Sequence, residues 1–515
     1  MNKVQFDFHE AEKMVSSYME EKSMFSAQLY GGNLPGSLCK TSSYTNPCSS
    51  GNSETSSLAT ENAQKSHQYN SESSCLEFQS PEQEEMIVKL QELERTLLAD
   101  DDLDGVEEML ESSPRMELDG DDPSSSSDSI QSSTESDGKS CENNTKCLLF
   151  ECARLISEEN FMEASCLINE LRKVVSIQGD PSQRIAAYMV EGLVARIAAS
   201  GKLLYKALKC KEPPSLDRLA AMQILFEVCP FYRFGFMAAN GAILEACNGE
   251  KRVHIIDFDI SQGSQYITLI QTLANHPNKP HYLKLTGVDD PESVHRAVGG
   301  LNLIGLRLKK LAEALKVTFE FESVASKTSL VSPSMLNCKT GEALIVNFSF
   351  QLHHVPDESV STVNERDQLL RMVKNLKPKL VTVTEQDINT NTAPFLQRFG
   401  ETYGYYSVVF DSLDATLARE SQDRMNVEKE CLAREIVNVI ACEGEDRIER
   451  YEVAGKWRSR MSMAGFTVCP MTSNVIQMAA DLIKQYSDKY MLKVEMGILH
   501  FGWSDRSLIF SSAWT

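Results

Sequence analysis

A chain of 515 residues has room for two or three average domains, or for one large α/β domain carrying a tail. Charge separates these options: residues 1–140 hold 9 Lys+Arg against 28 Asp+Glu, a net −19, which leaves only −3 of the chain's −22 for residues 141–515. A near-neutral domain of that size disfavours autonomous tight DNA binding, which depends on neutralising phosphates.

The N-terminus, MNKVQFDFHEAEKMVSS, places acidic residues where a signal peptide needs an apolar core, and no apolar run is long enough to cross a bilayer. A soluble, unsecreted protein with no membrane association is expected. Residues 1–80 are rich in Ser, Asn, Gln and Gly and cannot bury enough apolar surface to offset chain entropy. Between Glu82 and Glu111, Met86, Val88, Leu90, Leu93, Leu97 and Leu98 approach helical spacing before an acidic patch at Asp100 to Asp104. A transient linker helix is preferred there over a docking or activation motif. From Asp121 to Ser140, nine of twenty residues are Ser, which reads as a linker. Residues 1–142 are thus assigned to a disordered acidic, Ser-rich arm and 143–515 to the folded domain.

Stripes at Leu148, Leu149, Cys152 and Leu155, then at Ala164, Leu167, Ile168, Leu171 and Val174, give two helices, and Tyr188 to Leu208 gives a third. Leu216 to Glu245 continues helical except for PFYRF at Pro230 to Phe234, so Cys147 to Cys247 reads as a helical cap. After Val253 strands alternate with helices: VHIIDFDI, HYLKLTGV from His281, VTFEFESV from Val317, EALIVNFSF from Glu342 and KLVTVTEQ from Lys379. That alternation marks βαβ units and a mainly parallel sheet. MLKVEMGILHF and RSLIFSSAW, separated by Gly502 to Asp505, read as two strands of an antiparallel hairpin closing the sheet. The expected fold class is α/β and Rossmann-like (methyltransferase-like): a mainly parallel sheet, an antiparallel C-terminal hairpin and an N-terminal helical cap.

The first strand's loop is where such a domain binds a nucleotide cofactor. Registered on the D-x-G-x-G-x-G of an S-adenosylmethionine loop, Asp257 takes the acid, while Asp259 and Ser261 replace the first two glycines and only Gly263 survives. A side chain there blocks close approach of backbone to ligand, and Asp259 adds a carboxylate beside the place of the cofactor's own. The motif therefore argues for the fold and against a cofactor. Asp289, with Asp290, is in position for a ribose hydroxyl, although a turn or helix cap is the preferred reading. Asn347-Phe348-Ser349-Phe350 resembles the Asn-x-x-aromatic of some amino-methyltransferases. His353 and His354 are adjacent, expected to point apart and to act structurally, and no further His or Cys stands at ligand spacing. The fourteen cysteines include no Cys-x-x-Cys, which fits a reduced compartment and leaves no metal site expected. Arg447, Arg450, Lys456, Arg458 and Arg460 alternate with Glu443, Glu445, Glu449 and Glu452, which reads as a salt-bridged solvated helix face; a smaller basic group comprises Lys374, Lys377 and Lys379.

Longer blocks carry a family resemblance. VHIIDFDISQGSQYITLIQTLA, containing Val253, His254, Ile255, Ile256 and Asp257, resembles the VHIID block of plant GRAS proteins. PFLQRF from Pro394 with Tyr405-Tyr406-Ser407 resembles the PFYRE block, and RIERYEVAGKWRSRMSMAGF with the terminal FGWSDRSLIFSSAWT resembles the SAW block. Tyr266 stands where Trp is usual and Thr515 where Arg is usual. The divisions implied are 143–218 leucine-rich region I and cap, 219–284 VHIID, 300–332 leucine-rich region II, 342–437 PFYRE and 440–515 SAW. The resemblance, Scarecrow-like in type, implies a non-enzymatic plant regulator of transcription in the nucleus with no cofactor. It also implies partnership with zinc-finger transcription factors or other GRAS proteins, DNA reached directly or through them, and room for a dimer. The arm lacks the DELLA-type signature. An S-adenosylmethionine-dependent methyltransferase using the crevice of Asp257, Asp259, Gly263, Asp289 and Asn347 is the alternative.

Overall fold

The computed structural model describes residues 134–198, 221–222, 224–226, 228–261, 263–294 and 300–515. The arm before 134, its helix expected at 82–111, and the stretch around Pro213-Pro214 lie outside the described residues.

Among the described residues three helices come first: α1 (Thr134–Ser157), α2 (Phe161–Val174) and α3 (Pro181–Ile197). The first begins inside the segment expected to be a linker, because the acidic composition of TESDGKS suits the opening turn of a helix. The start of α3 is written in its sequence. Asp180 accepts the amides of Ser182 and Gln183 at 2.9 and 3.0 Å, Gln183 reaches back to the Asp180 amide, and Pro181 takes the first helical position.

The next helix, α4 (Pro230–Cys247), corrects two expectations. PFYRF does not interrupt it but opens it, since a proline at the first helical position needs no amide partner. Nor does α4 belong to the cap, for it packs on the central and C-terminal strands of the sheet.

The sheet grows from β1 (Arg252–Asp257), α5 (Ser264–Asn275), β2 (Tyr282–Asp289), the short α6 (Pro291–Val294), α7 (Leu301–Ala314) and β3 (Phe319–Ala325). It continues through β4 (Ala343–Ser349), α8 (Glu365–Asn375) and β5 (Leu380–Gln386). Strands β1 to β5 pair in parallel in the order β3-β2-β1-β4-β5, with β1 and β4 at the centre. The β-branched runs of β1, β2, β4 and β5 are buried on both faces, as a doubly covered parallel sheet requires.

Between β5 and the final strands lie α9 (Phe395–Asp414), α10 (Gln422–Val427), a π-helical turn (Glu428–Leu432), α11 (Ala433–Ala441), α12 (Ala454–Met463), β6 (Val468–Cys469) and α13 (Ser473–Ile483). Helices α9 and α11 pack on α3, so the cap is assembled from both ends of the domain. A buried triad ties it: Glu428 accepts from Arg184 at 3.0 Å and from Arg424 at 2.7 Å, and Arg184 also reaches Asp414 at 2.8 Å.

The chain ends in β7 (Tyr490–Glu495), β8 (Ile498–Trp503) and β9 (Arg506–Trp514), all antiparallel, with β9 paired to β5. The expected hairpin of two strands is thus a meander of three. MLKVEMGILHF folds back on itself at Met496 and Gly497, whose φ values of 50° and 82° fit a two-residue hairpin turn. On one face of the sheet, Trp457 of α12 and Trp514 of β9 join Ile256, Phe348, Leu370 and Val383 in a continuous core.

Candidate functional site

Parallel register sets Asp257 of β1 beside Asn347 of β4, and Asn347 beside Thr382 of β5. The buried Asp257 carboxylate accepts the Tyr266 hydroxyl, the Asn347 amide at 2.7 Å and the Asp259 backbone N–H at 2.8 Å. Thr382 donates to the Asn347 carbonyl at 2.6 Å, and Gln265 joins Asn347 and Ser349 to Asn240 of α4. Burial pushes the Asp257 carboxyl up while the Tyr266 and Asn347 bonds pull it down. The residue registered on the acid of the cofactor loop is therefore spent on knitting β1, β4, β5, α4 and α5 together. The rest of the VHIID run is also internal. Val253, Ile255 and Ile256 are core, and His254 lies 2.7 Å from the Thr286 hydroxyl with its ring pulled down to about 4 by burial and by Lys284.

The loop that follows keeps its amides for itself. Asp259 accepts the Ser261 N–H at 2.9 Å, and Ser261 takes a left-handed φ of 53°, a conformation that the glycine of a cofactor loop adopts without strain. Burial pushes the Asp259 carboxyl up to about 7, with Asp289 and Asp257 adding repulsion. Gly263, at φ 83°, opens α5, and a Cβ there would meet Ile304 at 3.0 Å. Asp289 accepts the Asp290 amide at 2.7 Å at the entrance to α6, which is turn geometry.

A cavity of about 540 Å³ lies at the carboxyl ends of these strands, with Asp259, Asp290 and Ser261 in its wall. Phe226, Tyr232, Phe236 and Phe350 supply apolar lining; His353, His354, Glu435, Glu449 and Arg434 supply charge. Glu435 and Arg434 follow the π-helical turn, and burial, reinforced by Glu449, raises the Glu435 carboxyl.

Two readings of the charged residues are corrected. Arg447, Arg450, Glu449 and Glu452 do not sit on a solvated helix: they are buried on an extended segment before α12. Arg460 bonds Glu452 at 2.5 Å and Asp357 at 3.0 Å, and Arg366 lies over the Trp457 ring. Alternating charge along a sequence cannot tell an exposed ladder from a buried network whose partners arrive from elsewhere. His353 and His354 do not point apart either. Their rings lie 4.0 Å from each other and both face Glu449, because a one-turn 3-10 helix (Leu352–His354) carries them. Glu385 and Glu435 carry no local signal in the sequence, and Glu449 shows there only as one acid of the charged alternation.

Among the described residues no helix is long and apolar enough to cross a membrane. The fold and this crevice define a class: a Rossmann-like domain whose nucleotide loop is closed by its own side chains. The pattern of the GRAS domain family matches residues 145–515, and the chain belongs to that family. It is 62% identical over 441 residues to Scarecrow-like protein 1 of Arabidopsis thaliana, covering 84% of this chain and 74% of that protein. It is 53% identical over 367 residues to Scarecrow-like transcription factor PAT1 of the same plant, covering 71% and 75%. The crystal structure of SCL7 in Oryza sativa superposes with a TM-score of 0.63 at 29% identity, covering 72% of this chain and 99% of that one.

Proposed function

We propose that this protein regulates plant transcription in the nucleus without catalysis, by binding other transcription factors, zinc-finger proteins or other GRAS proteins among them. The observation that carries the reading is the closed loop. Asp257 is saturated by Tyr266, Asn347 and a backbone amide, and Asp259 occupies the amide of Ser261. Family membership and the name of its PAT1 relative support a transcriptional role. The acidic arm supports partner binding, since such segments fold on contact and respond to phosphorylation. The −3 charge of residues 141–515 favours reaching DNA through a partner, with direct contact in a dimer as the variant of this reading.

The test pairs calorimetry of the full chain against S-adenosylmethionine with proximity labelling by the full chain in plant nuclei. Recovered transcription factors and no heat at millimolar cofactor are expected. Micromolar cofactor binding without nuclear partners would replace this reading with the methyltransferase one.

A further inference from the structure

The histidine pair in the cavity wall has a geometry that partner binding does not use. His353 and His354 place their Nε2 atoms 3.3 and 3.4 Å from one oxygen, Glu449 Oε2, and the three atoms lie within 4.8 Å of one another. Zinc–nitrogen and zinc–oxygen bonds of about 2.0–2.2 Å put neighbouring ligand atoms roughly 3.3–3.5 Å apart around a tetrahedral ion. The observed separations from Glu449 match that edge.

Proton positions point the same way. His353 Nδ1 lies 2.6 Å from Glu385 Oε2 and His354 Nδ1 lies 3.3 Å from Gln351 Oε1. The Glu385 carboxylate can only accept, so His353 Nδ1 carries a proton, and in the His354 tautomer that donates to Gln351 Oε1 each neutral ring turns an Nε2 lone pair toward the Glu449 carboxylate. A lone pair against an anion is repulsive unless a cation stands between them.

The frame is rigid. Arg366 donates to the His353 carbonyl at 3.0 Å and Arg450 to the His354 carbonyl at 2.9 Å; Glu385 Oε1 accepts the Leu352 amide at 2.8 Å. Tyr451 donates to Glu449 Oε2 at 2.6 Å. A carboxylate on the far nitrogen of a histidine, with further bonds behind it, is the supporting shell that metal sites use.

We infer that His353, His354 and Glu449 form a three-ligand site for a divalent transition-metal ion of the zinc type, oriented by Glu385 and Tyr451, with its fourth position turned to the cavity. The two imidazoles and one carboxylate are a borderline nitrogen and oxygen set, suited to zinc rather than to calcium or magnesium. The ion would join the loop after β4 to the segment before α12, so binding stabilises the fold. Its open position suits a water or a carboxylate from a ligand or partner.

The untagged full chain, stripped with chelator, is titrated with Zn²⁺ by calorimetry and with Co²⁺ by absorption. Accessible thiols, Cys147, Cys166 and Cys338 among them, are alkylated first so that they cannot compete. One equivalent at micromolar affinity or tighter, a raised Tm, and a cobalt spectrum of nitrogen and oxygen ligands without thiolate charge-transfer bands are expected. His354→Gln, at a partly exposed ring, should weaken zinc by at least about tenfold while leaving the Tm in chelator unchanged. No uptake by the wild-type chain, a thiolate spectrum, or wild-type affinity in His354→Gln overturns the site. Should His354→Gln fold poorly, the cobalt spectrum of the wild-type chain decides alone, a spectrum of four nitrogen and oxygen ligands supporting the site and no spectrum overturning it.

Discussion

Removing the Asn347 amide takes one donor from the buried Asp257 carboxylate and the acceptor from the buried Thr382 hydroxyl at once. Asn347→Ala should therefore cost about 1–3 kcal/mol in chemical denaturation. A loss below about 0.5 kcal/mol would mean that Tyr266 alone satisfies Asp257. His254 gives a second prediction. Its ring titrates near 4 in the fold against the usual 6.5, so its contribution is fully present above pH 6.5 and is lost as pH falls through 4. Lys284, close by, opposes its protonation, while Glu342, 3.6 Å away, favours it. His254→Gln should flatten the decline in stability between pH 6.5 and 4, and an unchanged acid limb would assign that decline to carboxylates instead. At this scale the sequence made Asp257, Asp259 and Asn347 visible, because they end strands at a known crevice. It hid the partners of Glu385 and Glu449, because nothing near either residue marks which distant histidine it will meet.

Elements defined by local chemistry were legible: the β-branched runs of β1, β2, β4 and β5, and the leucine stripe of α7. Those that depend on one turn or one long-range partner were not. Met496-Gly497 looked like the interior of a strand until two positive φ values folded it. Because β9 lies between β5 and β8, with Trp514 buried in the core beneath, the chain's end is a structural member. Truncating residues 503–515 should abolish cooperative unfolding as followed by circular dichroism; a wild-type Tm would refute the antiparallel closure. The cap depends similarly on one carboxylate. Glu428→Leu would leave Arg184 and Arg424, both fully buried, without their shared anion, at a cost of about 3–5 kcal/mol. A variant within about 1 kcal/mol of wild type would show that Asp414 and backbone carbonyls suffice.

Across the whole molecule the division of charge decides how DNA can be engaged. Residues 141–515 hold almost as many bases as acids, and residues 1–140 add −19. Many of the arginines that could have formed a phosphate-binding surface, including Arg184, Arg366, Arg424, Arg450 and Arg460, are buried against carboxylates or carbonyls instead. Each phosphate neutralised steepens the fall of log affinity with log salt by about 0.9 on duplex DNA. The full chain alone should accordingly show weak binding to a labelled duplex and a shallow slope, on the order of two or fewer contacts, in fluorescence anisotropy between about 50 and 200 mM salt. In a complex with a basic transcription factor the slope should rise to that of the factor itself, since the factor would supply the phosphate contacts. A slope of roughly six or more contacts for the chain alone would require a basic surface assembled between copies of it, and would move the protein from partner-borne to direct DNA recognition.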